Sequence, residues 1–236
     1  MPYSYYYGFD LSYLIYCVPP LLLALWAQWK VKSTFAHYSK VASDRGMTGR
    51  DAARLILDTN GLYDVPVTQI AGELTDHFDP KENLIRLSDP VCNVRSVAAV
   101  GVAAHEAGHA VQYAVGYVPM KWRSALVPVV NFGSNLAMPL VLLGIVLSFD
   151  TLAYVGVILF SATALFQLVT LPVELDASRR ALAALEGAGL SEEGVRGAKK
   201  VLTAAALTYV AALLTAIGNL LRLLSIVRRN DDRGRR

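Results

Sequence analysis

The chain has 236 residues, of which 54% are hydrophobic and 17% are charged. Soluble domains usually carry about 25% charged residues, so this composition favours a membrane protein. The net charge of +3 is small and scattered, which argues against a nucleic-acid partner because nucleic acids are bound by basic patches. The two cysteines, Cys17 and Cys92, form no CxxC pair, so neither a disulfide framework nor a thiolate zinc site is expected.

The first long apolar run extends from Leu11 to Trp29 and is long enough to cross the hydrocarbon core of a bilayer. Before it, residues 1–10 carry tyrosines typical of a membrane interface and no basic residue that could begin a secretory signal. Pro19-Pro20 should kink the run. Basic residues dominate the segment that follows, which places that segment in the cytoplasm. We therefore predict an N-terminal transmembrane anchor over residues 1–29.

Residues 30–123 are predicted to form a cytoplasmic region with short helices and strands. Residues 48–62 predict a helix that Thr48 can cap and Asn60-Gly61 can end. Residues 71–90 predict two short strands around a turn. This region therefore contains a small β-hairpin beside helices.

An alanine-rich run over residues 95–115 has helical spacing and contains His105-Glu106-Ala107-Gly108-His109. A spacing of four puts both imidazoles on one face of the helix, one turn apart, where they can bind one Zn²⁺. Glu106 is placed to act on a water rather than on the metal itself, as the general base of a metalloprotease does. The HExxH pattern makes residues 30–123 the predicted catalytic region.

A catalytic zinc needs a third protein ligand besides the two histidines. No histidine follows His109 in the sequence, so either a downstream acid or His77 must supply it. Glu174 is the favoured acid, because a closed transmembrane hairpin would return it to the level of the HExxH helix. Asp176 and Glu186 are the alternatives.

Two further apolar runs, roughly 125–149 and 152–171, are separated only by Asp150-Thr151. They predict a transmembrane hairpin over residues 124–172 that Pro172 closes. Residues 173–200 are then expected to hold a separate helix with the third ligand, followed by a loop.

Residues 201–236 contain a last apolar helix and a basic tail. If this helix spans the membrane, its basic tail lies outside, against the positive-inside rule; otherwise the helix packs without crossing. Its length favours spanning. The fold class expected is a mainly α membrane protein with three or four transmembrane helices, a cytoplasmic zincin-like HExxH helix and a small β-hairpin or edge strand.

Six long blocks of the sequence are distinctive. They are AQWKVKST (27–34), LTDHFDP (74–80), RSVAAVGVAAHEAGHAVQ (95–112), RSALVPVVNFGSNL (123–136), FQLVTLPVELDASRRAL (166–182) and GAKKVLTAAALTYVAA (197–212). In these blocks the chain resembles one family, the neutral zinc metallopeptidases of bacterial membranes of the YugP type. The resemblance covers nearly the whole chain and implies a membrane-embedded, zinc-dependent peptidase.

A more distant likeness is to the gluzincin membrane proteases of the heat-shock and CAAX-processing type. These also place a two-span hairpin between HExxH and a glutamate-bearing helix, which supports Glu174 as the third ligand. The wider class often has an aspartate four residues after that glutamate, where this chain has Ser178. The hydrogen bond that orients a ligand would then come from Asp176 or be absent.

The segment 74–88 also resembles the edge strand found near HExxH helices in such peptidases. A free edge can hold an extended peptide by backbone pairing, and His77 and Asp79 would then line the cleft. His77 could stabilise the oxyanion as a hydrogen-bond donor. Equally, Asp76 and Asp79 could set the turn and leave His77 exposed.

These observations predict a multi-pass protein of the cell membrane with one Zn²⁺ per chain and its site toward the cytoplasm. His105, His109 and Glu174 would hold the metal, and Glu106 would be the general base. The expected partners are the lipid bilayer and a peptide or membrane-protein substrate, without nucleic acid; the sequence does not indicate an oligomeric state. Two alternatives stay open: a site-2-type intramembrane protease with Asp176 as ligand, and a catalytically silent metal-binding membrane protein.

Overall fold

The computed structural model describes residues 11–234 of the chain, with side chains for residues 12–230. The tyrosines of residues 1–10 and the end of the basic tail lie outside the described residues. The described part is mainly helical, with one small sheet, which confirms the predicted mainly α fold. The elements are α1 Leu11–Tyr16, α2 Val18–Tyr38, α3 Gly49–Thr59, β1 Val67–Ile70, β2 His77–Asp79, β3 Leu84–Ser88, α4 Asp89–Cys92, α5 Val97–Ala114, α6 Val118–Val146, α7 Asp150–Gly187 and α8 Glu192–Gly234.

Within the described residues, four helical segments are long and apolar enough to cross a membrane: Ser12–Tyr38, Val118–Val146, Asp150–Gly187 and Glu192–Asn230. The first is interrupted at Cys17, between α1 and α2, close to the two prolines expected to kink it. The last segment shows that the C-terminal apolar run has the length and composition of a span.

Helix α7 continues through Pro172 to Gly187, so the prediction that Pro172 ends the second apolar helix is wrong. A proline inside a helix removes one backbone hydrogen bond. Here the next turns are held by packing, since Val173, Ala177, Ala181 and Leu185 are fully buried at four-residue spacing. The predicted ligand helix is therefore the second half of α7.

The chain forms two compact units. Among the described residues, the first comprises residues 11–26, 125–168 and 210–234, and its core includes Val141, Ala153, Val157, Leu223 and Val227. Small residues allow close helix contact there: a Cβ built on Gly156 would lie 2.6 Å from the carbonyl oxygen of Ala137. Such small-residue contacts are typical of helices in membranes.

The second unit comprises residues 27–124 and 169–209 and contains the HExxH helix α5. Helix α3 begins with the predicted cap, in which the Thr48 side chain and the Asp51 carboxylate each bond the other's backbone N–H. This capping box satisfies two donors that a helix start leaves unpaired. Helix α5 contacts α3 on its buried side and also β2 and β3.

The sheet has the order β1-β3-β2. Strand β1 pairs with β3 in parallel, and β2 pairs with β3 antiparallel with Phe78 opposite Ile85. The two strands expected around the turn after Asp79 are therefore present. Strand β2 is an edge strand, and it contacts α5.

Candidate active site

Helix α5 packs closely against α7 at Gly108, and glycine and alanine make up much of its buried face. The Ser96 side chain caps its first turn by accepting a hydrogen bond from the Ala99 backbone N–H. A Cβ built on Gly108 would lie only 2.6 Å from the carbonyl oxygen of Ala177 in α7. This close approach brings the side chains of α5 within reach of those of α7.

His105, His109 and Glu174 converge where the two helices meet. Glu174 Oε2 lies 3.1 Å from His105 Nε2 and 3.4 Å from His109 Nε2. One ligand atom from each residue lies within 4.8 Å of the other two. Glu174 is 2% exposed and His109 is 7% exposed. Buried polar side chains such as these need hydrogen-bond or metal partners.

The Nδ1 atom of each imidazole is already hydrogen-bonded, and the Nε2 atoms face Glu174. His109 Nδ1 lies 3.0 Å from Gln112 Oε1, and His105 Nδ1 lies 3.1 Å from Ser178 Oγ. Histidine ligands are commonly oriented in this way through their second nitrogen. Two imidazole nitrogens and one carboxylate are also the protein donors of many catalytic zinc sites, so the residues present fit the metal.

Gln112 fixes the tautomer of His109. Its amide nitrogen donates to the carbonyl oxygen of Val173 and to Asp176 Oδ2, both at 2.9 Å. The amide oxygen must therefore face His109 and accept a hydrogen bond from Nδ1–H, so that in the neutral ring the lone pair is on Nε2. Gln112 is completely buried, so this network is shielded from water.

Asp176 belongs to the outer layer of the site. Besides Gln112, it pairs with Arg180 at 2.6 Å and with Arg179. Among the described residues, the group that could hold a metal contains Glu174 and not Asp176. Glu186, three turns further along α7, is exposed.

Burial and charge act in opposite directions on His109. Burial by itself lowers its pKa, but the hydrogen bond to Glu174 and the negative charge of Glu106 outweigh this and raise the pKa. A proton and a metal ion would therefore compete for this imidazole.

Glu106 is held by the edge strand. Its Oε2 accepts a hydrogen bond of 3.0 Å from the Phe78 backbone N–H in β2. Asp76, just before β2, accepts hydrogen bonds from both the backbone N–H and the hydroxyl of Ser88. Burial raises the pKa of Asp76, and the nearby Glu106 charge adds to this. The hydrogen bond from Phe78 to Glu106 thus joins the edge strand β2 to the HExxH helix α5.

A cavity of about 150 Å³ adjoins these groups. Its polar lining consists of Asp76, His105, Glu106, Glu174, Ser178 and Tyr209, and side chains such as Phe35 and Leu202 form its apolar wall. A concave, largely apolar site with a few convergent polar groups is the usual form of a ligand-binding site.

The chain matches one known family over most of its length. A family model described as "putative neutral zinc metallopeptidase" matches residues 13–228. The chain belongs to this family. It is also similar to "Putative membrane protease YugP" of Bacillus subtilis (strain 168), with 48% identity over 221 residues, which are 93% of this chain and 98% of that protein. No solved structure matches the chain significantly.

In this member of the metallopeptidase family, His77 lies apart from the cavity lining. Its Nδ1 is 2.8 Å from the carbonyl oxygen of Thr75, and its Nε2 is 3.5 Å from Arg86 Nη1. Asp79 also pairs with Arg86, at 3.3 Å. Of the segment before and within β2, the described lining residues are Leu74 and Asp76. The role of His77 as an oxyanion donor stays a prediction.

The sequence did not indicate that three further residues belong to the site. Arg123 Nη1 lies 3.2 Å from Glu174 Oε1, Tyr209 lines the same cavity as Glu174, and Gln112 orients His109. Only Gln112 gave a local signal, because it follows His109 by three positions, on the same face of an otherwise apolar helix turn. Arg123 and Tyr209 lie on other helices, α6 and α8, so no spacing along α5 points to them.

Proposed function

We propose that this membrane protein is a zinc-dependent endopeptidase with one Zn²⁺ held by His105, His109 and Glu174. The observation that carries the proposal is the convergence of these three side chains beside Glu106 at one cavity. The second hydrogen bond of each imidazole supports it, because Nδ1 of His105 and Nδ1 of His109 are both engaged and both Nε2 atoms face Glu174. When bound, zinc would polarise the scissile carbonyl and lower the pKa of a water molecule toward neutrality.

Glu106 is proposed as the general base. Its Oε2 is bound to the Phe78 backbone N–H, so Oε1 is the oxygen that would accept a proton from the attacking water. The same oxygen would then return the proton to the leaving amine. The hydrogen bond from β2 keeps the carboxylate in one orientation during both transfers.

The developing oxyanion needs a hydrogen-bond donor or a positive charge. His77 is the donor that the sequence suggests. The positions of Tyr209 in the cavity and of Arg123 beside Glu174 support these two as further candidates. An extended substrate would pair with those backbone groups at the outer edge of β2 that Glu106 leaves unbonded.

The four apolar helices support a multi-pass arrangement. Under the positive-inside rule, the basic segment after Trp29 would lie in the cytoplasm and the site with it. Peptides or membrane proteins accessible from that side are the proposed substrates.

The test is metal content together with peptidase activity of the purified full-length protein. We expect about one zinc per chain, lost in Glu174→Gln and retained in Asp176→Asn and Glu106→Gln. Cleavage of an unfolded protein such as casein should be abolished by Glu106→Gln although zinc is retained.

Two other results would each contradict the proposal. Zinc lost in Asp176→Asn but kept in Glu174→Gln would indicate a site-2-type protease. Zinc bound in the wild type without cleavage of any substrate in an unbiased peptide library would indicate a silent metal-binding protein.

A further inference from the structure

A second cavity, of about 710 Å³, lies between α2 and α8 within the second unit. It shares no described lining residue with the active-site cavity. Its lining includes Lys30 and His37 from α2, and Arg196, Lys199 and Lys200 from α8. We call this cavity the basic groove.

The two walls of the basic groove are regular helical stripes. On α2, the lining residues recur at intervals of three and four, and on α8 they do the same. The stripes are Lys30, Ser33, Thr34 and His37 on α2, and Arg196, Lys199, Lys200 and Thr203 on α8. Residues at this spacing share one face of a helix, so both helices direct cations and hydroxyls into the same space.

The charge of the basic groove is not neutralised by the described side chains. No Asp or Glu is found among its described lining residues. Over residues 12–230, none of the three lysines forms an ion pair, and Arg196 only approaches the exposed Glu192 at 3.9 Å. Clustered like charges repel, so an anion in the groove would stabilise the structure. Lysines and hydroxyls together are suited to a phosphate group.

The location of the groove favours a lipid phosphate over a soluble one. Both walls belong to helices long and apolar enough to cross a membrane. Trp29, which is 63% exposed, directly precedes Lys30, and exposed tryptophans are typical of the membrane–water interface. Ala204 and Leu207 extend the lining into the apolar part of α8. The lining of the groove therefore combines basic and apolar side chains, as a phospholipid combines an anionic headgroup with acyl chains.

We propose that the basic groove binds an anionic phospholipid, with Lys30, Lys199 and Lys200 at its phosphate. The acyl chain next to the headgroup would lie along Ala204 and Leu207. Basic pockets between membrane helices commonly hold acidic lipids in this manner. The proposal is independent of the peptidase activity.

The experiment measures the melting temperature of the full-length protein in an uncharged detergent. Phosphatidylglycerol is titrated in, with phosphatidylcholine, sodium phosphate and a glutamate decapeptide as separate arms. The groove variant is Lys30→Gln/Lys199→Gln/Lys200→Gln. The control variant, Lys32→Gln/Lys40→Gln/Lys81→Gln, has the same net charge but alters exposed lysines outside the groove.

We expect phosphatidylglycerol to raise the melting temperature of the wild type and of the control variant, while phosphatidylcholine, phosphate and the peptide do not. The groove variant should need a phosphatidylglycerol concentration at least about tenfold higher for the same rise in melting temperature. Equal responses of the two variants would overturn the proposal, since the lipid would then act on surface charge in general. An equal shift with sodium phosphate, or a shift with the acidic peptide alone, would also overturn it.

A second measurement does not depend on the variants folding. Native mass spectrometry of the wild type should show a retained phosphatidylglycerol molecule after detergent removal, and no retained phosphatidylcholine. Equal retention of both lipids would refute the proposed site.

Discussion

Gln112 connects the HExxH helix to α7, and replacing it with leucine tests whether that connection sets the metal site. Leucine has a similar volume but no polar atoms. Its introduction would remove the acceptor for His109 Nδ1 and the donor to Val173 and Asp176, at 3.0, 2.9 and 2.9 Å. Because Gln112 is completely buried, water cannot replace these partners.

The size of the effect follows from these contacts. A buried hydrogen bond contributes about 0.5–1.5 kcal/mol, and leaving its partner unsatisfied costs about 1–3 kcal/mol. Part of this loss is offset by the apolar leucine, so we expect the metal-free protein to lose about 2–4 kcal/mol and its melting temperature to fall by about 5–15 °C. Loss of the group that orients a ligand typically lowers metal affinity by about 10–100-fold.

Zinc affinity would be measured by competition with a chromogenic chelator, and stability by thermal unfolding in excess chelator. The matched control is Gln69→Leu, because Gln69 is exposed and bonds Asp89 and Asn93 in another part of the unit. That variant should leave zinc affinity unchanged. If Gln112→Leu lowers the melting temperature but binds zinc as tightly as the wild type, Gln112 contributes only to packing and does not orient His109 for zinc.

Three further variants test other parts of the structure. Gly108→Ala should destabilise the protein by about 1–3 kcal/mol in thermal unfolding, because the new Cβ would lie 2.6 Å from the carbonyl oxygen of Ala177. The control Gly187→Ala, with open space around the new Cβ, should leave stability unchanged. Equal effects of the two variants would contradict the close contact between α5 and α7. Tyr209→Phe should lower kcat by about 100-fold with zinc retained if its hydroxyl is the oxyanion donor, whereas the same loss in His77→Ala alone would assign that role to His77. Thr48→Ala should cost about 1 kcal/mol in the same unfolding assay through loss of the helix cap, and an unchanged stability would show that the cap is dispensable.

The pH dependence of stability should also report on this cap. The Thr48 hydroxyl and backbone N–H hold the pKa of Asp51 below its usual value. The contribution of Asp51 to stability is therefore complete above the unfolded-state pKa and is lost as the pH falls through the folded-state pKa. The difference in melting temperature between wild type and Thr48→Ala should shrink as the pH falls below about 4; a constant difference down to pH 2 would contradict the assignment.

Local features were accessible from the sequence because they depend on neighbours within one or two turns. The start of α3 at Thr48 and Asp51 is such a case, and so is the placement of His105 and His109 on one helix face. The apolar runs could also be identified as candidate membrane spans, because the rise per residue of a helix fixes the number of residues that cross a bilayer. Pro172 shows the limit of this reasoning: its local preference to end a helix is outweighed by the buried side chains that follow it.

The arrangement around the metal candidates was decided by the tertiary structure. Glu174 is 69 residues from His105, and its approach could be anticipated only by assuming a closed hairpin. Arg123 and Gln112 lie 51 and 61 residues from the α7 atoms they bond, and no periodicity connects them. The sequence by itself determined which side chains could bind zinc; the close contact of Gly108 with Ala177 brings α5 and α7 near enough for hydrogen bonds to orient those side chains.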